Sequence, residues 1–169
     1  MKRPYIVCHM VESIDGRIDC GMVDKISGEE YYSTLESLEC PASVEGRVTM
    51  EHYYALPERF VAKDSTPLGV AESYRASERN DFHICPDTRG CLQWEGATMA
   101  DGRPLLILTS EDAPAEYIAY LRAKGISYIA VGKGRIDLAG AMEMLCEEFG
   151  GKVPDTIEQL IRLPGVGRK

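Results

Sequence analysis

Residues 104–149 limit most strongly what this chain can become. Leu105-Leu106-Ile107-Leu108-Thr109-Ser110 is an unbroken apolar run ending in two hydroxyls. A helix-length stretch from Pro114 to Lys124 follows and meets Gly125, the residue type that most readily turns left-handed at a helix end. Ser127 to Val131 is a second short apolar run. After Gly132-Lys133-Gly134, the amphipathic stretch Leu138 to Phe149 runs into Gly150-Gly151. Continuous apolar runs of this length suit strands covered on both faces, and their alternation with helices implies parallel strands joined by a crossover helix. The expected fold is therefore α/β, a mainly parallel sheet flanked by helices.

The upstream half supports the same class. Tyr5, Ile6, Val7, Met10 and Val11 predict a buried strand over about 4–12, with Ser13, Asp15 and Gly16 at its carboxyl end. Ser27 followed by Glu30 resembles a capping box, and Tyr31, Tyr32, Leu35 and Leu38 follow at helical spacing, predicting a helix over 28–38. Ala42 to Val48 reads as a second strand and Met50 to Leu56 as a short helix. Residues 61–80 read as a long surface loop. Phe82 to Trp94 reads as a hairpin turning at Asp87 to Gly90.

The totals exclude several classes. A chain of 169 residues with 44% hydrophobic and 27% charged residues is expected to be a globular protein with a sizeable core. No apolar run is long enough to span a membrane, and the start has no apolar leader segment. A net charge of −8 opposes binding to a nucleic-acid backbone. The cysteines at 8, 20, 40, 85, 91 and 146 and the histidines at 9, 52 and 83 have no zinc-ligand spacing. They read as free thiols in a reducing cytoplasm, with no metal site.

Candidate chemistry gathers at strand ends. Ser13/Asp15/Gly16, Thr109/Ser110 and Gly132/Gly134 each close an apolar run with polar or glycine turns. In an open α/β sheet, such ends line one crevice. Gly46-Arg47-Val48-Thr49 adds a glycine, a positive charge and a hydroxyl that would cap the next helix, a combination suited to a phosphate or pyrophosphate. Gly132-Lys133-Gly134 is too short for a P-loop.

In order and spacing these pieces resemble a known family. Tyr5-Ile6-Val7…Ser13-Ile14-Asp15-Gly16-Arg17-Ile18, Gly46-Arg47-Val48-Thr49, Leu105 to Ser110, Ile126 to Leu138 and the turn from Asp87 to Trp94 are similar to the reductase domain of the riboflavin-biosynthesis deaminase–reductase, a dihydrofolate reductase-like fold. The resemblance covers about 1–149. It implies an NADPH-dependent reductase, usually a homodimer, that transfers hydride to a small substrate of pyrimidine or pterin kind. By the same resemblance Ser13 and Asp15 would serve catalysis, Asp15 by orienting the substrate. Glu12 and Ser13 would flank the nicotinamide. Gly46, Arg47 and Thr49 would hold phosphates and ribose, Thr109 and Ser110 would lie toward the adenosine with Ser110 facing its 2′-phosphate, and Gly132 to Gly134 would lie beside the adenine. Glu39-Cys40-Pro41-Ala42-Ser43 and His52-Tyr53-Tyr54 depart from the riboflavin enzymes and point toward a stand-alone reductase with another substrate.

Residues 150–169 read differently. The family continues with an apolar strand and a Glu-Gly-Gly turn for the pyrophosphate. Here Ile157 to Leu163 and Leu163-Pro164-Gly165-Val166-Gly167 are instead similar to the helix-hairpin-helix entry of endonuclease III-type DNA glycosylases, with Lys169 on that family's catalytic lysine. The plain alternative is a capped helix from Asp155 or Thr156 to Leu163. The sequence thus predicts a reductase-like domain over 1–149 and a helical tail over 150–169. Without the further strands, the sheet is expected to be poorly stable or to pair with a second copy. Two other functions stay open: a DNA-binding fragment, and a non-catalytic remnant of the reductase fold.

Overall fold

The computed structural model describes residues 6–18, 25 and 28–149. In chain order they form α1 (Gly28–Ser37), β1 (Ser43–Val44), α2 (Arg47–Tyr53), β2 (Glu72–Tyr74), β3 (His83–Pro86), β4 (Leu105–Thr109), α3 (Ala115–Lys124), β5 (Ser127–Ala130) and α4 (Leu138–Glu148). The described residues fall into two compact units, one within 6–40 and the other over 41–149.

The larger unit is built on one five-stranded sheet ordered β1-β3-β4-β5-β2. β1, β3, β4 and β5 run parallel, and β2 lies antiparallel on β5. The apolar run Leu105–Thr109 is the sheet's centre, and every one of its residues is buried. Its side chains alternate between two cores. Leu105 and Ile107 join Met50 of α2 and Tyr117, Ile118 and Leu121 of α3 on one face. Leu106 and Leu108 join Phe82, Ile84, Ile129, Ala141 of α4 and Phe149 on the other. Each fully buried aliphatic side chain here contributes about 1.5–3 kcal/mol. The mixed α/β class with a mostly parallel sheet flanked by helices is the one expected.

The helix ends follow the sequence. α3 stops at Gly125, whose φ of 68° lets its N–H reach back to the carbonyls of Leu121 and Arg122. α4 starts at Asp137, whose carboxylate accepts from the amides of Ala139 and Gly140 at 3.1 and 3.2 Å.

Four expectations are corrected. Residues 6–12 form no strand: burial alternates along them, but no ladder bonds them to a neighbour, and Ile6 and Met10 are exposed. Residues 4–5 of that expectation lie outside the described residues. The strand over 42–48 shortens to Ser43–Val44, because the chain enters α2 at Arg47. Thr49 is therefore inside α2, and its cap is Gly46 with no side-chain bond. The loop over 61–80 contains β2, which extends the sheet beyond β5. The hairpin at 82–94 does not form. β3 pairs in parallel with β1 and β4, and the returning arm bonds elsewhere, Leu56 N–H to Gln93 O at 2.8 Å and Phe60 N–H to Cys91 O at 2.9 Å.

Among the described residues, no helix is long and apolar enough to cross a membrane, and no cluster of His, Cys, Asp or Glu could hold a metal ion. Cys8, Cys40, Cys85, Cys91 and Cys146 are free thiols. Residues 150–169, with the predicted tail helix and Lys169, lie outside the described residues.

Candidate cofactor site

Four parallel strands end on the same edge of the sheet, and each end leads into a polar turn. β1 leads to Gly46-Arg47, β3 to Asp87-Thr88-Arg89-Gly90, β4 to Ser110-Glu111-Asp112, and β5 to Val131 and Gly132-Lys133-Gly134. Neighbouring strands lie about 4.8 Å apart, so adjacent turns are within reach of one another's long side chains. The topology therefore brings Gly46, Arg47, Thr109, Ser110, Gly132 and Gly134 to one edge, with Thr49 on the first turn of α2.

The β3 turn is the most tightly built. Asp87 is fully buried, and its carboxylate accepts from the amides of Cys91 at 2.8 Å and Leu92 at 2.9 Å and from the Tyr117 hydroxyl at 3.0 Å. These bonds satisfy a carboxylate that would be costly to bury alone. From the neighbouring strand end, the Thr109 hydroxyl donates to the Asp87 carbonyl and the Ser110 hydroxyl to the Thr88 carbonyl, both at 2.8 Å. Gly90 turns with φ of 64°, and a Cβ there would lie 2.4 Å from the Tyr117 ring.

At β1, Gly46 faces open space. The Arg47 guanidinium pairs with Glu51 one turn along α2, and Arg59 pairs with the same carboxylate, Nε to Oε1 at 2.7 Å. The Arg59 hydrogen bond foremost holds the Glu51 carboxyl below its ordinary range, against a smaller opposing effect of burial. Burial and then the Asp87 carboxylate push the Cys91 thiol up, while Arg47 and Arg59 pull it the other way. Cys85 is pushed up further, chiefly by burial. Neither thiol is prepared as a thiolate nucleophile.

At β5 the amides are already engaged. Gly132 N–H bonds the Glu111 carboxylate at 3.1 Å, and Gly134 N–H bonds the Asp112 carboxylate. An open recess of about 440 Å³ lies beside this turn, lined by Lys133, Arg135, Ile136 and Leu138 among others. Asp137 also lines it, so two cations, one carboxylate and two apolar side chains border the recess.

Glu12, Ser13 and Asp15 belong to the smaller unit. Ser13 closes a turn there: its N–H bonds the Arg17 carbonyl at 2.8 Å, its hydroxyl contacts the Asp15 carboxylate, and Asp15 pairs with Arg17 at 3.2 Å. Gly16, with φ of 79°, makes the turn possible. Glu12 and Asp15 are exposed.

Another polar group, not foreseen from the sequence, surrounds His83. Its Nδ1 lies 3.0 Å from the Ser43 hydroxyl and 3.2 Å from Glu45, and its Nε2 lies 2.9 Å from Asp101 and 2.6 Å from Arg103. The hydrogen bond to Glu45 raises the imidazole pKa most, burial opposes it, and Asp101 adds to the rise. Burial pushes the Asp101 carboxyl up, but bonds from the Arg103 amide, His83 and the Arg103 guanidinium outweigh it and leave it strongly lowered. A Ser–His–Asp alignment is present in distance only. An imidazole that favours its proton between two carboxylates is an ion-pair hub, not a base for Ser43. Its partners are 18 to 40 residues away in sequence, so no local motif could have shown it.

No family model matches this chain. It is similar to the 2,5-diamino-6-ribosylamino-4(3H)-pyrimidinone 5′-phosphate reductase of Methanothermobacter thermautotrophicus, 29% identical over 146 residues, which cover 85% of this chain and 62% of that protein. It is also similar to Endonuclease III of Thermotoga maritima, 62% identical over 26 residues, which cover 15% of this chain and 12% of that enzyme. The chain thus spans less than two thirds of the length of the reductase it resembles.

Proposed function

We propose that this chain is a reductase domain that takes hydride from NADPH and delivers it to a small heterocyclic substrate of the pyrimidine class. The observation that carries this reading is the convergence of Gly46-Arg47, Thr109-Ser110 and Gly132-Gly134 on the carboxyl edge of four parallel strands, where nucleotides bind in open α/β sheets. The similarity to a pyrimidinone phosphate reductase gives the edge a chemistry.

The residues fit the cofactor unevenly, which supports different roles for them. Gly46 leaves room for close approach, so in this reading the β1 end takes a phosphate, with Arg47, held by Glu51, beside it. Thr49 adds a hydroxyl on α2 toward the ribose. The amides of Gly132 and Gly134 are bonded to Glu111 and Asp112, so they form no anion cradle, and in this reading their turn lies beside the adenine. When bound, the nicotinamide supplies the hydride. In this reading Glu12 and Ser13 flank the nicotinamide, and Asp15 orients the substrate rather than donating a proton. The protein acts in the cytoplasm as a homodimer.

The test is an equilibrium titration of the protein with NADPH and with NADH, followed by nicotinamide fluorescence. An NADPH-oxidation assay would then use the pyrimidinone substrate named for the Methanothermobacter relative. Saturable binding, tighter for NADPH, supports the reading; absent binding, or equal affinity for both, overturns it. The match to Endonuclease III favours a second reading, binding of duplex DNA. Salt-dependent duplex binding by a protein of net charge −8 would support it.

A further inference from the structure

Three arginines stand around the β1 and β3 ends, and their partners differ. Arg47 and Arg59 share the Glu51 carboxylate. Arg89 is exposed at the tip of the β3 turn and pairs with no carboxylate among the described residues. Of these three arginines, Arg89 is the one whose charge no carboxylate among the described residues offsets.

The backbone beneath Arg89 is held on both sides. Before it, the Thr88 carbonyl accepts from the Ser110 hydroxyl at 2.8 Å, and the Asp87 carbonyl accepts from Thr109. After it, Gly90 packs its backbone directly against the Tyr117 ring, and the Asp87 carboxylate holds the amides of Cys91 and Leu92. The strand order sets β3 between β1, which carries Gly46-Arg47, and β4, which carries Ser110. Arg89 thus stands on a fixed stem at the end of the strand that separates the two.

Ser110 itself is poorly placed to contact a ligand. It is 1% exposed, its hydroxyl donates to Thr88, and the same oxygen accepts from the Asp112 amide at 3.3 Å. Its work is done beneath the turn.

We infer that Arg89 is the residue that selects NADPH over NADH, by pairing with the adenosine 2′-phosphate, and that Ser110 is a positioning residue that fixes the turn from which Arg89 reaches. This rests on the proposed cofactor reading. A guanidinium offers a planar fork that matches a phosphate monoester, and such charge-assisted bonds are among the stronger ones available.

The experiment measures binding of four probes by calorimetry: NADPH, NADH, 2′,5′-ADP and 5′-AMP. Proteins are the wild type, Arg89→Ala, Arg89→Lys, Ser110→Ala and the Arg89→Ala/Ser110→Ala double variant. Arg89→Ala is expected to weaken NADPH and 2′,5′-ADP by about tenfold or more and to leave NADH and 5′-AMP within about twofold. Arg89→Lys recovers part of the loss. Ser110→Ala lowers the preference for the 2′-phosphate in the wild-type background and adds nothing once Arg89 is gone. If Arg89→Ala keeps the wild-type ratio of NADPH to NADH affinity, or loses both cofactors equally, the assignment of Arg89 is overturned while the cofactor reading stands. If the wild type binds none of the four probes, the cofactor reading fails and the assignment falls with it.

Discussion

At the scale of single residues, the His83 group carries a pH dependence whose sign can be worked out. The imidazole pKa is raised in the fold, so His83 contributes stability in full below its unfolded value, near 6.5. That contribution is lost as pH rises through the higher folded value. Glu45 and Asp101 run the other way. Burial pushes the Glu45 carboxyl up, but the hydrogen bond and charge of His83 bring it below its ordinary value, and Asp101 is lowered as well. Their contribution is present above about pH 4 and fades as pH falls through the lower folded values. All three groups are therefore charged together on the acid side of neutrality. The melting temperature of the wild type is expected to fall between pH 6 and pH 8.5, and that of His83→Gln to fall less over the same range. Parallel melting curves would sink this account. The group was invisible in the sequence because Ser43, Glu45, Asp101 and Arg103 meet His83 only through the β1–β3 register and the approach to β4.

At the scale of elements, the β3 turn gives the clearest contrast. Gly90→Ala must place a methyl 2.4 Å from the Tyr117 ring at a φ of 64°, so strain and clash add. A loss of about 2–4 kcal/mol is expected, seen as a lower urea midpoint with an unchanged slope. Gly125→Ala has the same sign of φ but nothing within 4 Å of the new methyl, and it should cost only about 1 kcal/mol. Equal losses at the two sites would mean that the Tyr117 ring yields freely. The same turn explains why part of the fold was readable and part was not. β4, α3, β5 and α4 were legible within a residue or two, because unbroken apolar runs and a glycine stop leave one packing solution. The hairpin at 82–94 was not. Leu92 and Trp94 alternate inward as a strand would, but the Asp87 side chain takes the amides of Cys91 and Leu92, so no ladder can form there. β2 was missed because Glu-Ser-Tyr offers no apolar pattern; it is held by its neighbours, with the Arg122 guanidinium and Tyr128 hydroxyl both meeting Glu72. At the candidate site the spacing placed Gly46, Arg47, Gly132 and Gly134 after strand ends, and they lie there. The engagement of the Ser110 hydroxyl and of the Gly132 and Gly134 amides was not legible, because their partners come from neighbouring strand ends.

At the scale of the whole molecule, both cores are drawn, among the described residues, from 42–149, with helices on both faces of the sheet. A polypeptide of residues 41–149 is therefore expected to unfold in one cooperative transition, with a midpoint close to that of the full chain. A fragment that melts broadly, or far lower, would show that the smaller unit contributes to the larger. The position of Trp94 has a practical consequence for such work. It is the chain's one tryptophan, it is 2% exposed, and its backbone is held on both sides by the Tyr120 hydroxyl of α3, at 2.7 and 3.2 Å. The protein therefore carries its own optical gauge. Indole emission reports the solvation of the α3 face, so its red shift times the opening of that core.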